Sequence, residues 1–113
     1  MARCRDRPIG LSALKTLGGV FIAKMFVSEE AAAKLARRGI TTYDVEQLSK
    51  NGALSKRNPR PRMSGSRFLI GPTHGGRILT VVVEPEPVDK GAWHVRTAWD
   101  SSAAEQMFYH RGR

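Results

Sequence analysis

Cysteine, acid and long apolar runs are all scarce in this chain, and each shortage removes a class of protein. Cys4 is the only cysteine among 113 residues, so no intrachain disulfide can form and a reducing, cytoplasmic setting is the simplest one. A structural zinc site needs several Cys or His ligands at close spacing. His74, His94 and His110 are scattered singly, and neither a metal nor another cofactor is expected. Lys15, Gly18-Gly19 and Lys24 break the one apolar stretch near the N-terminus, which argues against a membrane span. No small-residue cleavage pattern follows that stretch, so it does not read as a secretory signal either. Internal repeats are absent. So are the nucleophile elbow, the zinc-protease signature and the phosphate loop: Gly71–Gly76 lacks the lysine and the following helix that a phosphate loop requires.

Acid is the most consequential shortage. Ten Asp and Glu face nineteen Lys and Arg, giving a net charge of +9 and a pI near 10.6, above the value of about 9 at which a nucleic-acid footprint is expected. Thirteen of the cations are arginine, whose planar fork grips phosphate with two hydrogen bonds. The few carboxylates do not form an obvious acid–base pair. Glu84 and Glu86 fall at a strand end among prolines and Asp100 suits a helix cap, so a two-carboxylate glycosidase is not indicated.

What is present is a run of five cations without an anion, from Lys56 through Arg57, Arg60 and Arg62 to Arg67. Pro59 and Pro61 stiffen it, and guanidinium groups on such a loop face outward, toward an anionic partner. Around it the periodicity outlines a single α+β domain over 25–113. Residues 1–24 form a basic, partly apolar extension, or hold a short helix over Leu11–Leu17; the extension is favoured. Ser28 with Glu29 and Glu30 opens a helix that Gly39 stops, and Thr41 or Thr42 opens a second one that ends at Asn51-Gly52. The period then changes to two. Strands are predicted at Ala53–Lys56, Arg67–Ile70, Arg77–Glu84 and Trp93–Ala98, and Asp100 or Ser101 caps a terminal helix. The expected architecture is a small antiparallel meander flanked by two N-terminal helices and one C-terminal helix.

Several cations start or line these strands: Arg67, Arg77, and the His94/Arg96 pair, two residues apart and so on one face. Cleavage of an RNA backbone needs a base for the ribose 2′-hydroxyl, an acid for the leaving oxygen and cations for the phosphorane. Histidine titrates in the range for either proton role, and Tyr109 on the terminal helix is within reach if that helix packs on the sheet edge. Each residue also has a plain alternative: a solvated strand end for the arginines, an idle strand histidine for His94, amphipathic packing for Tyr109. Trp93 and Trp99 suit core or rim positions, and an exposed Trp99 suits base stacking.

The order of these segments resembles the BrnT-like toxins and related small domains of the RelE ribonuclease superfamily over Phe26 to about Tyr109. The resemblance lies in Glu30–Ile40, with its helix ending Arg-Arg-Gly-Ile, in Arg67–Gly71, in Gly76–Val83 and in Val95–Ala98. At Trp99 the chain departs from the arginine usual in BrnT-like sequences. The resemblance implies a metal-independent endoribonuclease of a type II toxin–antitoxin system, with a small DNA-binding antitoxin as partner. It carries Arg67, Arg77, Arg96 and Tyr109 as site residues. With the residues read above, the expected catalytic set is Arg67, Arg77, His94, Arg96 and Tyr109, and the expected RNA contacts are Lys56, Arg57, Arg60, Arg62 and Trp99. The alternative is a non-catalytic module of the same fold that binds nucleic acid or a protein partner.

Overall fold

The computed structural model describes residues 7–9, 15–17 and 20–112. Its elements follow in the order β1 (Arg7–Ile9), β2 (Lys15–Leu17), β3 (Val20–Ile22), β4 (Lys24–Val27), α1 (Glu29–Arg37), α2 (Thr42–Lys50), β5 (Leu54–Arg57), β6 (Arg67–Pro72), β7 (Ile78–Pro85), β8 (Ala92–Asp100) and α3 (Ala103–Gly112). Six strands form one sheet in the order β1-β4-β8-β7-β6-β5, and β2 and β3 form a separate hairpin. Leu11–Leu14, part of the alternative first helix, lie outside the described residues, and Lys15–Leu17 are strand.

The α+β class is as expected, but the sheet is mixed and not an antiparallel meander. Strands β5 to β8 do form a meander, while β4 joins β8 in parallel, with Lys24 opposite Ala92 and Phe26 opposite His94. Periodicity missed β4 because Lys24–Val27 is too short to show an alternation. Ile22, upstream of the predicted domain start, belongs to the main core and is 1% exposed. The Trp93 indole Nε1–H donates to the Phe21 carbonyl at 3.0 Å.

Helix α1 begins where Ser28 accepts a hydrogen bond from the Ala31 amide and where Glu29 and Glu30 meet the positive end of the helix dipole. It stops at Gly39, whose φ of +69° favours glycine. Of the two threonines, Thr41 caps α2, and Asp44 returns a bond to the Thr41 amide, completing a capping box. The terminal helix is capped by neither Asp100 nor Ser101. Ser102 accepts from the Glu105 amide while Glu105 accepts from the Ser102 amide, leaving Asp100 for another task.

Strand β7 divides its side chains between two layers. Leu79, Val81 and Val83 join Leu35, Val45 and Leu48 in the main core, while Val82 joins Phe68, Ile70 and Tyr109 in a second cluster with Phe108 of α3. The strand is therefore buried on both faces, as its apolar run predicts. A register shift between Val82 and Val83 leaves Arg96 as an extra residue on β8, and such a bulge re-aims side chains. Strand β6 extends two residues past its predicted end. A Cβ at Gly71 would lie 2.9 Å from the Ala53 Cα, so only glycine lets the strand pass beneath the turn into β5.

Candidate nucleic-acid interface

The basic run is a hairpin loop, with Lys56 and Arg57 ending β5 and Arg67 opening β6. Asn58 and Ser66 close it. The Asn58 side chain donates to the Ser66 hydroxyl at 3.0 Å and accepts from the Arg60 amide at 3.0 Å, and the Ser66 hydroxyl donates to the Val83 carbonyl. Both side chains are buried. The loop is thus tied to the end of β7, which brings its arginines to Glu84.

Glu84 is the centre of the site. Its side chain is 6% exposed and accepts two hydrogen bonds from Arg62, at 2.8 and 3.0 Å, with Arg96 Nε 3.9 Å away. A buried carboxylate requires such partners, since its desolvation otherwise costs several kcal/mol. The bidentate bond in turn strengthens the hold of Arg62 on its proton. His94 stands directly opposite Glu84 on β8, and Glu86 Oε1 lies 2.9 Å from its Nε2. Phe26 stacks on the His94 ring with centroids 5.5 Å apart, so the imidazole is held on two sides.

Two hollows meet at this carboxylate. One, of about 270 Å³, lies between the start of α1 and the loop and is lined by Glu30, Lys34, Arg62, Glu84, His94 and Arg96 among others. The other, of about 360 Å³, is lined by Pro59, Arg60, Phe68, Val82, Arg96 and Trp99 with Asn58, Arg62 and Glu84. The first is polar and charged; the second has an apolar, aromatic floor and a cationic rim. Trp99 packs edge-on to Phe68, and its indole N–H donates to Glu105 at 3.1 Å. Glu105 also accepts from Thr80 and from the Ser102 amide. Burial pushes the Glu105 carboxyl up, but these bonds outweigh it and the net shift is down.

The predicted residues separate into three groups. His94, Arg96, Arg60, Arg62 and Trp99 converge on the two hollows. Lys56 and Arg57 stand on the neighbouring edge strand, the Lys56 ammonium 5.2 Å over the Phe108 ring. Arg67, Arg77 and Tyr109 do not line either hollow. Arg67 lies opposite Arg57 and donates to the Ser55 hydroxyl at 3.1 Å, and its buried Nε has no hydrogen-bond partner among the described residues. Tyr109 is 6% exposed and packs with Phe68, Ile70 and Val82. Arg77 lies at the far end of β7, where Asp100 takes two of its bonds and the carbonyls of Arg38 and Gly39 take the others.

Reasoning from strand ends missed Glu84 and Glu86. One signal was available: Glu84 ends the run Val81-Val82-Val83 on the strand expected to be buried, where a carboxylate needs a cation nearby. Among the described residues no group of three His, Cys, Asp or Glu is arranged to hold a metal ion, and no helix is long and apolar enough to cross a membrane. Comparison with protein-family models matches residues 27–100 to the family described as a domain of unknown function (DUF4258), a span that includes Arg62, Glu84, Glu86, His94 and Arg96. No curated protein matches the chain.

Proposed function

The chain belongs to the DUF4258 family, and we propose that this member binds RNA in the groove around Glu84 and cleaves it with its own side chains, as a toxin-like endoribonuclease. The observation that carries the proposal is the buried Glu84 carboxylate set between two guanidinium groups and opposite a histidine. A carboxylate, an imidazole and paired cations are the parts that transesterification of a phosphodiester uses.

In the reaction Glu84 takes the proton of the ribose 2′-hydroxyl as that oxygen bonds to phosphorus. The bond from phosphorus to the 5′-oxygen breaks, and His94 gives that oxygen a proton from Nδ1 while Glu86 holds Nε2. A cyclic 2′,3′-phosphate and a 5′-hydroxyl result. Arg62, whose side chain is 61% exposed, moves from the carboxylate to the phosphate as substrate enters, and Arg96 stays beside both. Arg60, Arg57 and Lys56 hold the flanking backbone, so affinity falls steeply with added salt. The resemblance to BrnT-like toxins adds a small antitoxin as the partner that restrains the activity.

A second reading has its own observation. Glu84 is fully engaged by Arg62 in the free protein, and if that pair persists on RNA, the groove binds without cutting. Incubation of the protein and of Glu84→Gln with total RNA in EDTA separates the two. Cleavage by the wild-type chain alone, leaving cyclic phosphate ends, is expected. Tight, salt-sensitive RNA binding by both without cleavage would establish the binding module instead.

A further inference from the structure

We infer that the larger hollow is a nucleobase subsite that prefers guanine; the inference rests on RNA as the ligand of the groove. Its volume of about 360 Å³ lies at the lower end of the roughly 300–1,000 Å³ of small-molecule pockets, suited to one flat ring system. Its apolar lining is Phe68, Val82, Pro59 and Trp99. A rigid stacking surface is already prepared. The Trp99 ring is set by its bond to Glu105 and by its edge contact with Phe68, so little rotamer freedom is lost when a base arrives.

The rim decides which base. The Asn58 side chain spends its amide on Ser66 and its oxygen on the Arg60 amide, and Glu84 is committed to Arg62. That leaves the guanidinium groups of Arg60 and Arg96, with the N–H groups of Arg62 that Glu84 does not take, as donors to spare, and the Arg60 guanidinium has no partner among the described residues. Guanidinium is donor-only, and among the purine edges the one that offers two adjacent acceptors to it is O6 and N7 of guanine. Adenine presents a donor beside N7 and is disfavoured. A guanine in this hollow places its 3′-phosphate toward Arg62, Arg96 and Glu84, which line both hollows.

Tryptophan fluorescence tests this, because Trp99 is partly exposed while Trp93 is 9% exposed. The full chain is titrated with guanosine, adenosine and cytidine 3′-monophosphates and with inorganic phosphate. Quenching by the guanosine nucleotide at concentrations about tenfold below the adenosine one, with no quenching by phosphate, is expected. Trp99→Phe abolishes the signal, and Arg60→Ala, at an exposed position, removes the guanine preference. Equal quenching by all three nucleotides, a different leading base, or quenching by phosphate alone would overturn the subsite. The outcome is independent of catalysis: guanosine binding without RNA cleavage retains the subsite and removes the nuclease, while cleavage without base-dependent quenching does the reverse.

Discussion

Two arginine–carboxylate clamps sit at opposite ends of the β7–β8 pair, and they invert one another. In Arg77–Asp100 the carboxylate is 64% exposed, while the arginine gives two further N–H groups to the carbonyls of Arg38 and Gly39. The cation is held by backbone as well as by the carboxylate and ties the end of α1 to the sheet. In Arg62–Glu84 the carboxylate is the buried member at 6%, and the arginine is 61% exposed on a loop. One arrangement closes a structure; the other leaves an exposed cation over a buried anion, with a histidine and a second arginine beside it. A guanidinium is free for a ligand only where folding has not already used its donors.

The sharpest test of this contrast is Glu84→Gln, which keeps the shape and removes the base. It should lower RNA cleavage by about 10²–10⁴-fold, measured on an oligonucleotide at fixed salt, with an unchanged circular dichroism spectrum. Next, Arg96→Ala should lower the cleavage rate about 10²-fold by removing a cation from the phosphorane. Arg77→Ala should leave the rate of the folded protein unchanged, and equal losses for the two arginines would abolish the distinction.

Stability reverses the ranking. Arg77→Ala removes charge-assisted bonds to two carbonyls and a carboxylate, which after allowance for solvent screening costs about 1 kcal/mol. A fall in Tm of several degrees is expected by calorimetry. The pH dependence follows from Asp100, whose bond to Arg77 holds its carboxyl below the ordinary value. Because the folded pKa is depressed, this contribution is present above the unfolded value, near 3.8, and disappears as pH falls through the folded one. Asp100→Asn should therefore flatten the stability profile only at that acid limb. Glu105→Gln should have the smallest effect, a change in Trp99 emission with little loss of cleavage, since Glu105 orients the indole and does not touch the phosphate.

Much of the fold was legible because it depends on local chemistry. Ser28 and Gly39 bracket α1, the alternation from Leu79 to Val83 marks a strand covered on both sides, and the charge-poor apolar run of β7 locates the centre of the sheet. Strand β4 was not legible: four residues carry no period, and its parallel pairing with β8 crosses two helices and three strands. Among the site residues, His94, Arg96, Arg60, Arg62 and Trp99 were recognisable as exposed chemistry on strands and a stiff loop. Glu84, at a strand end among prolines, looks solvated from the sequence, and nothing near Arg77 in sequence reveals its bond to Asp100, twenty-three residues away.

By itself the sequence determined that this protein is a small, strongly basic α+β domain with an arginine-rich loop between strands, because composition, capping and periodicity act over a few residues. Only the tertiary structure decided which arginines are occupied and which carboxylate lies among them. That choice depends on the register across β7 and β8, on the bulge that leaves Arg96 as an extra residue on β8, and on the loop closure through Asn58, Ser66 and Val83 that carries Arg62 to Glu84, contacts that no local pattern in the chain announces.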